Sequence, residues 1–275
     1  MGTGMRSGEI AEAGARLLGA ALADCRAVAG GDLSAVVWLR LATGDAAIAK
    51  TGPDPRAEAA MLDAIRTAGV PAPQVLAVSD RVLVLEELPD RGGLDDAGWR
   101  ELGVALRCLH GAEGEDYGWP VDYAFGAVTI RNAPGADWPS FWAEQRLLSE
   151  VAAMPAEFAR RLEALARDLP NRLPARPAPA LLHGDLWAGN LLAADGRLSG
   201  LIDPACYFGH GEVDLAMLHL FGSPGARFAA GYGALAPGAA ERRAIYQLWP
   251  AIVHLRLFGA GYAGMLDRLL DRAGA

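Results

Sequence analysis

One short segment of the chain places a histidine, an aspartate and an asparagine at a spacing that suits catalysis. It reads His183-Gly184-Asp185-Leu186-Trp187-Ala188-Gly189-Asn190, which has the pattern H-x-D-x-x-x-x-N. Phosphoryl transfer needs a carboxylate beside the acceptor hydroxyl and oxygen ligands for the Mg²⁺ that bridges the phosphates of ATP. The spacing therefore predicts Asp185 as the catalytic base, Asn190 as a metal ligand and His183 as a residue that braces the loop.

A second carboxylate follows this loop at the end of an apolar run. Asp203 lies in the sequence Leu201-Ile202-Asp203-Pro204, thirteen residues after Asn190. Taken alone, Asp203 could be a surface turn residue, and a His-Gly-Asp sequence could be an ordinary loop. Their order, together with an upstream lysine and glutamate, predicts that Asp203 is a second magnesium ligand.

The upstream lysine stands out by composition. Lys50 is the only lysine, so 24 of the 25 basic residues are arginine. Codon bias explains the general replacement, and the retained lysine then marks a place where a planar guanidinium would not serve. We predict that Lys50 binds phosphate and that Glu58, on the next predicted helix, holds it. The alternative for Glu58 is a position on a solvated helix face.

Two further segments are candidates for nucleotide binding. The turn Gly30-Gly31-Asp32-Leu33-Ser34 lies between two predicted strands, where a phosphate-covering loop belongs. It is not a G-x-G-x-x-G loop and could be a plain hairpin turn, so only its position favours phosphate contacts for Gly30, Gly31 and Ser34. At the end of the last predicted strand of this region, Leu85-Glu86-Glu87-Leu88 should form the hinge between the lobes, where the backbone of Glu86 and Leu88 is expected to meet adenine.

Periodicity predicts a sheet-rich first part and a helix-rich second part. Strands are expected over 25–30, 35–42, 46–50, 70–78 and 81–88, and helices over 7–23, 54–67, 95–110, 138–150, 155–169, 239–258 and 262–272. Residues 111–137 are predicted to be irregular, and 170–180 to form a proline-rich connector. The pattern indicates an α+β, two-lobed, protein-kinase-like fold with a small N-lobe (1–88), a larger, mainly helical C-lobe (89–275) and a cleft between them.

Composition argues against several classes of partner. The net charge of −8 comes without any basic stripe, so no nucleic-acid partner is expected. The three cysteines have no C-x-x-C spacing, which indicates reduced intracellular thiols. No apolar run reaches the roughly 18–20 residues that span a bilayer, and the start lacks the apolar core of a signal peptide. We expect a cytoplasmic monomer.

The segment after Asp203 bears on the size of the substrate. A helical pattern, 212–222, begins about nine residues after this aspartate, which leaves no room for an activation loop that docks a peptide. The acceptor should therefore be small or an exposed adduct. His210 is a candidate for the substrate side of the site. Asp214 could cap its helix or reach back to the catalytic-loop backbone, and we favour the second role.

Two segments carry a family resemblance. LLHGDLWAGN and IDPACYFGHGEVDLAMLHLFG closely resemble the fructosamine kinase (ketosamine-3-kinase) family, a branch of the aminoglycoside-phosphotransferase-like kinases. The Gly-Gly-Asp turn, the Lys50 strand, FGAVTIRN, ADWPSFWAEQRL and YQLWPAIVHLRLFG are also similar to that family, so the resemblance covers nearly the whole chain.

The resemblance implies transfer of the ATP γ-phosphate to the 3-hydroxyl of a ketosamine, either a small sugar-amine or a glycated amine on a protein. The phosphorylated adduct is then unstable and leaves its amine, which amounts to deglycation. Trp187 and His210 would lie toward the sugar. Two departures from the family pattern are the sequence around Ser34 and Ile130-Arg131-Asn132 in place of a Gln-x-Asn.

Other functions remain open on the same residues. An aminoglycoside or amino-alcohol kinase would need an acidic C-lobe cleft to accommodate a polycationic substrate. A non-catalytic nucleotide-binding regulator should have lost one of Lys50, Asp185, Asn190 or Asp203, and none is lost. A signalling protein kinase is disfavoured by the short segment after Asp203.

Overall fold

The computed structural model describes residues 5–28 and 34–275. Its first part is a five-stranded antiparallel sheet of order β1-β2-β3-β5-β4, with β1 Leu22–Ala27, β2 Val36–Leu41, β3 Ala46–Lys50, β4 Val75–Val78 and β5 Leu83–Glu86. Helix α1, Ser7–Leu17, packs on this sheet, and α2, Pro55–Thr67, connects β3 to β4. The order of strands and helices is the predicted one.

The first helix is shorter than predicted. Apolar spacing suggested a helix over 7–23, but α1 ends at Leu17 and β1 already begins at Leu22. Gly19 adopts a left-handed backbone (φ 67°), a conformation that glycine enters without the Cβ penalty and that commonly ends a helix. The apolar residues after Gly19 therefore continue into a strand, which periodicity alone did not distinguish.

The second part of the chain is mainly helical. Its helices are α3 Asp96–His110, α4 Trp138–Trp142, α5 Ala156–Arg172, α6 Glu212–Leu218, α7 Phe228–Tyr232, α8 Ala239–Phe258 and α9 Ala263–Arg272. Three two-stranded pairs join them: β6 Tyr123–Phe125 with β7 Val128–Ile130, β8 Ala180–Leu182 with β11 Tyr207–Gly209, and β9 Leu191–Ala194 with β10 Arg197–Leu201. The architecture is the predicted α+β arrangement of a small antiparallel sheet and a helical lobe. No helix in the described ranges is long and apolar enough to cross a membrane.

Three predictions for this part were inaccurate. The segment 111–137 is not wholly irregular, because it contains the β6–β7 hairpin. The segment 138–150 is not one α-helix, because α4 passes into a π-helical turn at Ala143–Leu147. Helix α5 extends to Arg172, into the expected connector, with Pro170 in its last turn.

The buried side chains form two clusters that do not follow the sheet–helix division of the sequence. One cluster joins α1 to the sheet. The other joins the helical part to α2 through Met61, Leu62 and Ile65. The Leu201 N–H also donates to the Pro71 carbonyl (2.9 Å), just after α2. Helix α2 is therefore held against the helical lobe, which fixes the position of Glu58 relative to the catalytic loop.

A buried arginine anchors the β6–β7 hairpin. Arg146, in the π-helical turn, is fully buried, and its Nη2 donates to Asn132 Oδ1 at 3.0 Å. Its Nη1 donates to the Arg131 carbonyl, and its guanidinium lies 4.1 Å from the Tyr207 ring centroid. Within 5–28 and 34–275, no carboxylate forms a salt bridge with it. Arg146 thus contacts backbone, amide and aromatic groups. These contacts hold the segment that directly follows β7.

Replacing Arg146 by alanine should lower the free energy of unfolding by about 3 kcal/mol, because buried acceptors lose their donors and a cavity remains. Urea unfolding followed by circular dichroism measures the change. Arg160→Ala is the matched control, since Arg160 is exposed and its loss should change stability by less than about 0.5 kcal/mol. Similar effects of the two substitutions would contradict the anchoring role.

Candidate active site

A buried lysine lies between two carboxylates. Lys50 Nζ is 2.8 Å from Glu58 Oε1 and 2.5 Å from Asp203 Oδ1. Lys50 and Glu58 are 4% and 2% exposed, whereas the Asp203 side chain is 38% exposed and can reach a ligand. Burial opposes the lysine charge, but the two carboxylates prevail and raise the pKa of Lys50. The lysine therefore stays positively charged, as phosphate binding requires.

Local structure positions each member of this group. Lys50 is the last residue of β3, and Glu58 lies in the first turn of α2. That turn is defined by the Asp54 cap, whose side chain accepts the Ala57 N–H at 3.0 Å. Asp203 follows β10 with a left-handed backbone (φ 55°), a conformation that aspartate tolerates better than most residues. This turn points the Asp203 carboxylate back toward Lys50.

His183 braces the catalytic loop. Its Nε2 donates to the Ile202 carbonyl (3.0 Å), so its Nδ1 is free to accept the Asp185 N–H at 3.3 Å. Burial lowers the pKa of His183 and keeps the ring neutral in this tautomer. Gly184 is left-handed (φ 82°), and a Cβ there would collide with the Ala205 carbonyl. The hydrogen bonds of His183 and the close approach of Gly184 to Ala205 therefore both fix the backbone of the loop.

Asp214 reaches back to the backbone of the catalytic loop, which is the second of the two roles considered from the sequence. Its carboxylate accepts the backbone N–H groups of His183 (2.7 Å) and Gly184 (2.9 Å) and does not cap its own helix. Burial by itself raises the pKa of Asp214, but the His110 hydrogen bond and the surrounding donors lower it overall. His110 Nε2 lies 3.2 Å from this carboxylate.

Asp185 lines a cavity that Lys50 and Asp203 also line. Asn190 Nδ2 donates to the Asp185 carbonyl (2.7 Å) and to its Oδ2 (3.1 Å), which orients the carboxylate. Burial raises the pKa of Asp185 to about 7, although the Asn190 hydrogen bond acts in the opposite direction. A carboxylate with this pKa can accept a proton near neutral pH.

The donor set at the end of β10 fits a hard divalent cation. The Ile202 N–H donates to the Asn190 carbonyl (3.1 Å), so Asn190 and Asp203 lie beside each other. Amide and carboxylate oxygens are the ligands that Mg²⁺ takes from proteins, and it usually keeps several waters and substrate phosphates as well. In the described ranges, no cluster of three His, Cys, Asp or Glu side chains offers a closed metal site. An open site completed by phosphate is the arrangement that Asn190 and Asp203 fit.

The other residues predicted to bind the nucleotide do not all lie at the cavity. Ser34 lines the cavity. Gly30 and Gly31 lie outside the described residues. The Glu86 N–H donates to the Gln74 carbonyl (2.9 Å) within the sheet, whereas the Leu88 N–H has no partner among residues 5–28 and 34–275. An adenine contact at this connection stays a prediction.

Lys50, Glu58, Asp185 and Asp203 are called the catalytic cluster below. The cavity, of about 450 Å³, lies between this cluster and helices α6 and α8. Trp187 lines it, and a contact of Trp187 with the sugar stays a prediction. Two residues of the β6–β7 hairpin that the sequence patterns did not indicate also line it, Tyr123 and Phe125. Burial, followed by the nearby Glu58 and Asp203 charges, raises the pKa of Tyr123. The alternation of aromatic and small residues in Tyr-Ala-Phe-Gly (123–126) is the sequence feature that could have predicted this hairpin.

His210 does not line the cavity, which revises its predicted place on the substrate side. Trp138 Nε1–H donates to the Tyr246 oxygen (3.0 Å), so the Tyr246 hydroxyl is left to donate to His210 Nδ1 (2.8 Å). The Nε2–H then faces Glu212 Oε1 at 3.9 Å. His210 therefore lies behind Tyr246, which does line the cavity.

The same environment predicts acid sensitivity. Burial lowers the pKa of His210 from 6.5 to about 4, with Glu212 opposing and Arg242 and His110 assisting. Below pH 6.5 the unfolded chain binds a proton that the folded chain does not, so stability falls as pH falls toward 4. Between about pH 7 and pH 5, we expect wild type to lose about 2 kcal/mol more than His210→Asn. Urea unfolding at both pH values measures this, and equal losses would refute the buried neutral histidine.

Comparison with known proteins adds to this geometry. The family model described as fructosamine kinase matches residues 21–274. A probable ketoamine kinase of Synechocystis is 36% identical over 203 residues, or 69% of this chain and 66% of that relative. One from Escherichia coli K12 is 36% identical over 229 residues, or 78% of this chain and 79% of the relative.

Solved structures give the same grouping. A Thermobifida fusca protein provisionally named fructosamine-3-kinase superposes with a TM-score of 0.87 at 32% identity, over 96% of this chain and 98% of that one. An aminoglycoside phosphotransferase in complex with AMP-PNP and hygromycin B has a TM-score of 0.59 at 17% identity, over 92% and 90% of the two chains. The second likeness is to the kinase fold alone.

Proposed function

The chain belongs to the fructosamine kinase family, and from this membership we propose that it phosphorylates the 3-hydroxyl of a ketosamine. As a member it is an ATP-dependent kinase that acts on a hydroxyl group. The observation that carries the proposal is the contact of Lys50 with both Glu58 and Asp203 in the cavity that Asp185 lines. We further propose that it acts as a cytoplasmic monomer on sugar-amines or on glycated amines of proteins.

In the proposed reaction, Asp185 accepts the proton of the sugar hydroxyl as the hydroxyl oxygen attacks the γ-phosphorus, and the bond from the γ-phosphorus to the β,γ-bridging oxygen breaks to release ADP. Asn190 keeps the Asp185 carboxylate oriented through its side-chain amide. The Lys50 ammonium binds phosphate oxygens while Glu58 holds it in place. Asn190 and Asp203 would hold Mg²⁺, which when bound neutralises charge on the phosphates.

The consequence for the adduct follows from the position of the new phosphate. A phosphate on the carbon next to the ketone is a better leaving group than the hydroxyl it replaces. We therefore propose that the phosphorylated ketosamine eliminates inorganic phosphate and that water hydrolyses the imine that results. Hydrolysis of this carbon–nitrogen bond releases the amine, which makes the reaction a deglycation.

The charge distribution of the cavity disfavours an aminoglycoside kinase. Among the described lining residues, the acidic side chains are Glu58, Asp185 and Asp203, all of them at the catalytic end. A polycationic antibiotic would need additional carboxylates along the rest of the cavity. The lining there is apolar and aromatic.

An assay of ADP formation with matched acceptors tests the proposed function. Synthetic fructosyl-amine and ribulosyl-amine adducts are compared with hygromycin B, and phosphorus NMR identifies the phosphorylated position. We expect turnover of at least one adduct, a 3-phosphate product and slow release of amine, with hygromycin B inert. Turnover of the antibiotic alone, or of neither acceptor class while ATP still binds, would overturn the proposal.

A further inference from the structure

The cavity extends away from the catalytic cluster into a continuous group of five rings. Ring centroids are 6.2 Å apart for Trp187 and Phe221, 4.9 Å for Phe221 and His254, and 5.0 Å for His254 and Tyr262. Phe258 completes the group, 5.5 Å from His254 and 5.8 Å from Tyr262. We call these five residues the aromatic surface; all of them line the cavity.

Much of the aromatic surface is open to solvent. Trp187 and Phe221 are each 39% exposed, and Phe258 is 44% exposed. Contiguous exposed aromatic side chains on a soluble domain usually mark a binding site. Here they border the same cavity as Asp185, so the expected occupant is part of the molecule that reacts there.

The neighbouring lining defines the chemistry of that occupant. Around the aromatic surface the cavity is lined by apolar side chains of α6 and α8, namely Met217, Trp249, Pro250, Val253 and Leu257. The charged lining residues in the described chain, Lys50, Glu58, Asp185 and Asp203, all belong to the catalytic cluster. A charged group placed against the aromatic surface would lose water without gaining an ion pair.

His254 adds one hydrogen-bond acceptor to this surface. Its Nδ1 lies 2.7 Å from the Pro250 carbonyl, which can only accept, so Nδ1 carries a proton. In the neutral ring Nε2 is then a lone-pair acceptor. An apolar group attached through an N–H matches this combination of rings and one acceptor.

We propose that the aromatic surface binds the amine portion of the ketosamine and that this portion is aromatic or branched aliphatic. The inference rests on the proposed function, because a ketosamine held with its 3-hydroxyl at Asp185 has its amine two carbons away. Trp187 is only two residues beyond Asp185, so the surface begins beside the reacting end. The amine substituent then extends toward Phe221, Phe258 and Tyr262.

Steady-state kinetics with adducts of one sugar test the inference. The adducts are made from benzylamine, 3-methylbutylamine, ethanolamine and 1,3-diaminopropane, so only the amine differs. The two apolar adducts are expected to have kcat/KM values at least about tenfold above those of the two polar ones, as for apolar groups added in an apolar pocket. Phe221→Ala and Phe258→Ala should each reduce this preference to about threefold or less.

The control variant is Leu235→Ala, which removes an exposed apolar side chain that does not line the cavity and should leave the preference unchanged. Phe221 and Phe258 are 39% and 44% exposed, so the removal of either ring should not unfold the protein, and a melting curve checks this. Turnover of all four adducts at similar kcat/KM, or a preference that survives both ring substitutions, would overturn this inference alone. Turnover of none would overturn the proposed function and this inference with it.

Discussion

Replacing Asp185 by asparagine is expected to lower kcat by about 10²–10⁴-fold. The substitution keeps the size of the side chain and its ability to accept a hydrogen bond from Asn190. It removes the carboxylate that we propose takes the hydroxyl proton. Because burial raises the pKa of Asp185 to about 7, the wild-type group is a stronger base than an exposed aspartate. Single-turnover phosphorylation of a ketosamine measures the loss at the chemical step.

Two controls separate loss of the base from loss of structure. ATP affinity should change by less than about threefold, since the phosphate-binding contacts of Lys50 and Glu58 remain. Asp63→Asn, at an exposed position of α2, should keep full activity. If Asp185→Asn retained more than about a tenth of the wild-type kcat, general-base catalysis by this residue would be refuted.

Lys50→Arg should lower kcat/KM by about 10²–10³-fold although it preserves the charge. Lys50 is 4% exposed, with Nζ 2.8 Å from Glu58 and 2.5 Å from Asp203. A guanidinium is larger and planar, so it would displace one carboxylate or move the phosphate from its position beside Asp185. Steady-state kinetics with varied ATP and ketosamine measure the effect.

Arg56→Lys is the matched control for Lys50→Arg. Arg56 makes an exposed ion pair with Asp80 (2.6 Å), and exchange of the two cation types there should leave kcat/KM within about twofold. The comparison also decides why the chain keeps a single lysine. Nearly full activity of Lys50→Arg would mean that codon usage, rather than phosphate binding, accounts for it.

The candidate catalytic residues could be selected from the sequence because their chemistry is encoded in short, local patterns. The loop from His183 to Asn190 holds the proposed base and one proposed metal ligand within a few residues, and Asp203 follows it after one hairpin. Strand and helix periodicity likewise places Lys50 at the end of β3 and Glu58 in the first turn of α2. The family and the α+β, kinase-like fold inferred from these motifs are confirmed.

The existence and ends of short elements could not be predicted in the same way, because they depend on long-range packing. Helix α7 has five residues, too few for a clear period. It exists because it packs on α3 at two glycines: a Cβ at Gly103 would collide with the Phe228 carbonyl, and one at Gly231 with the Arg100 carbonyl. The end of α1 at Leu17 likewise depends on the backbone of Gly19.

The candidate active site also depends partly on local sequence and partly on long-range packing. The residue types of the H-x-D-x-x-x-x-N loop and of the strand-borne lysine define the reaction, because phosphoryl transfer accepts few alternatives to carboxylate, amide and ammonium. The surroundings of the loop are decided by how distant segments pack. His210 lies behind Tyr246 and not in the cavity, whereas Phe221 lies beside Trp187 and is linked to Phe258 through His254. Linear spacing carries no information on such contacts, since the direction of each side chain is set by helices that pair only in the folded chain.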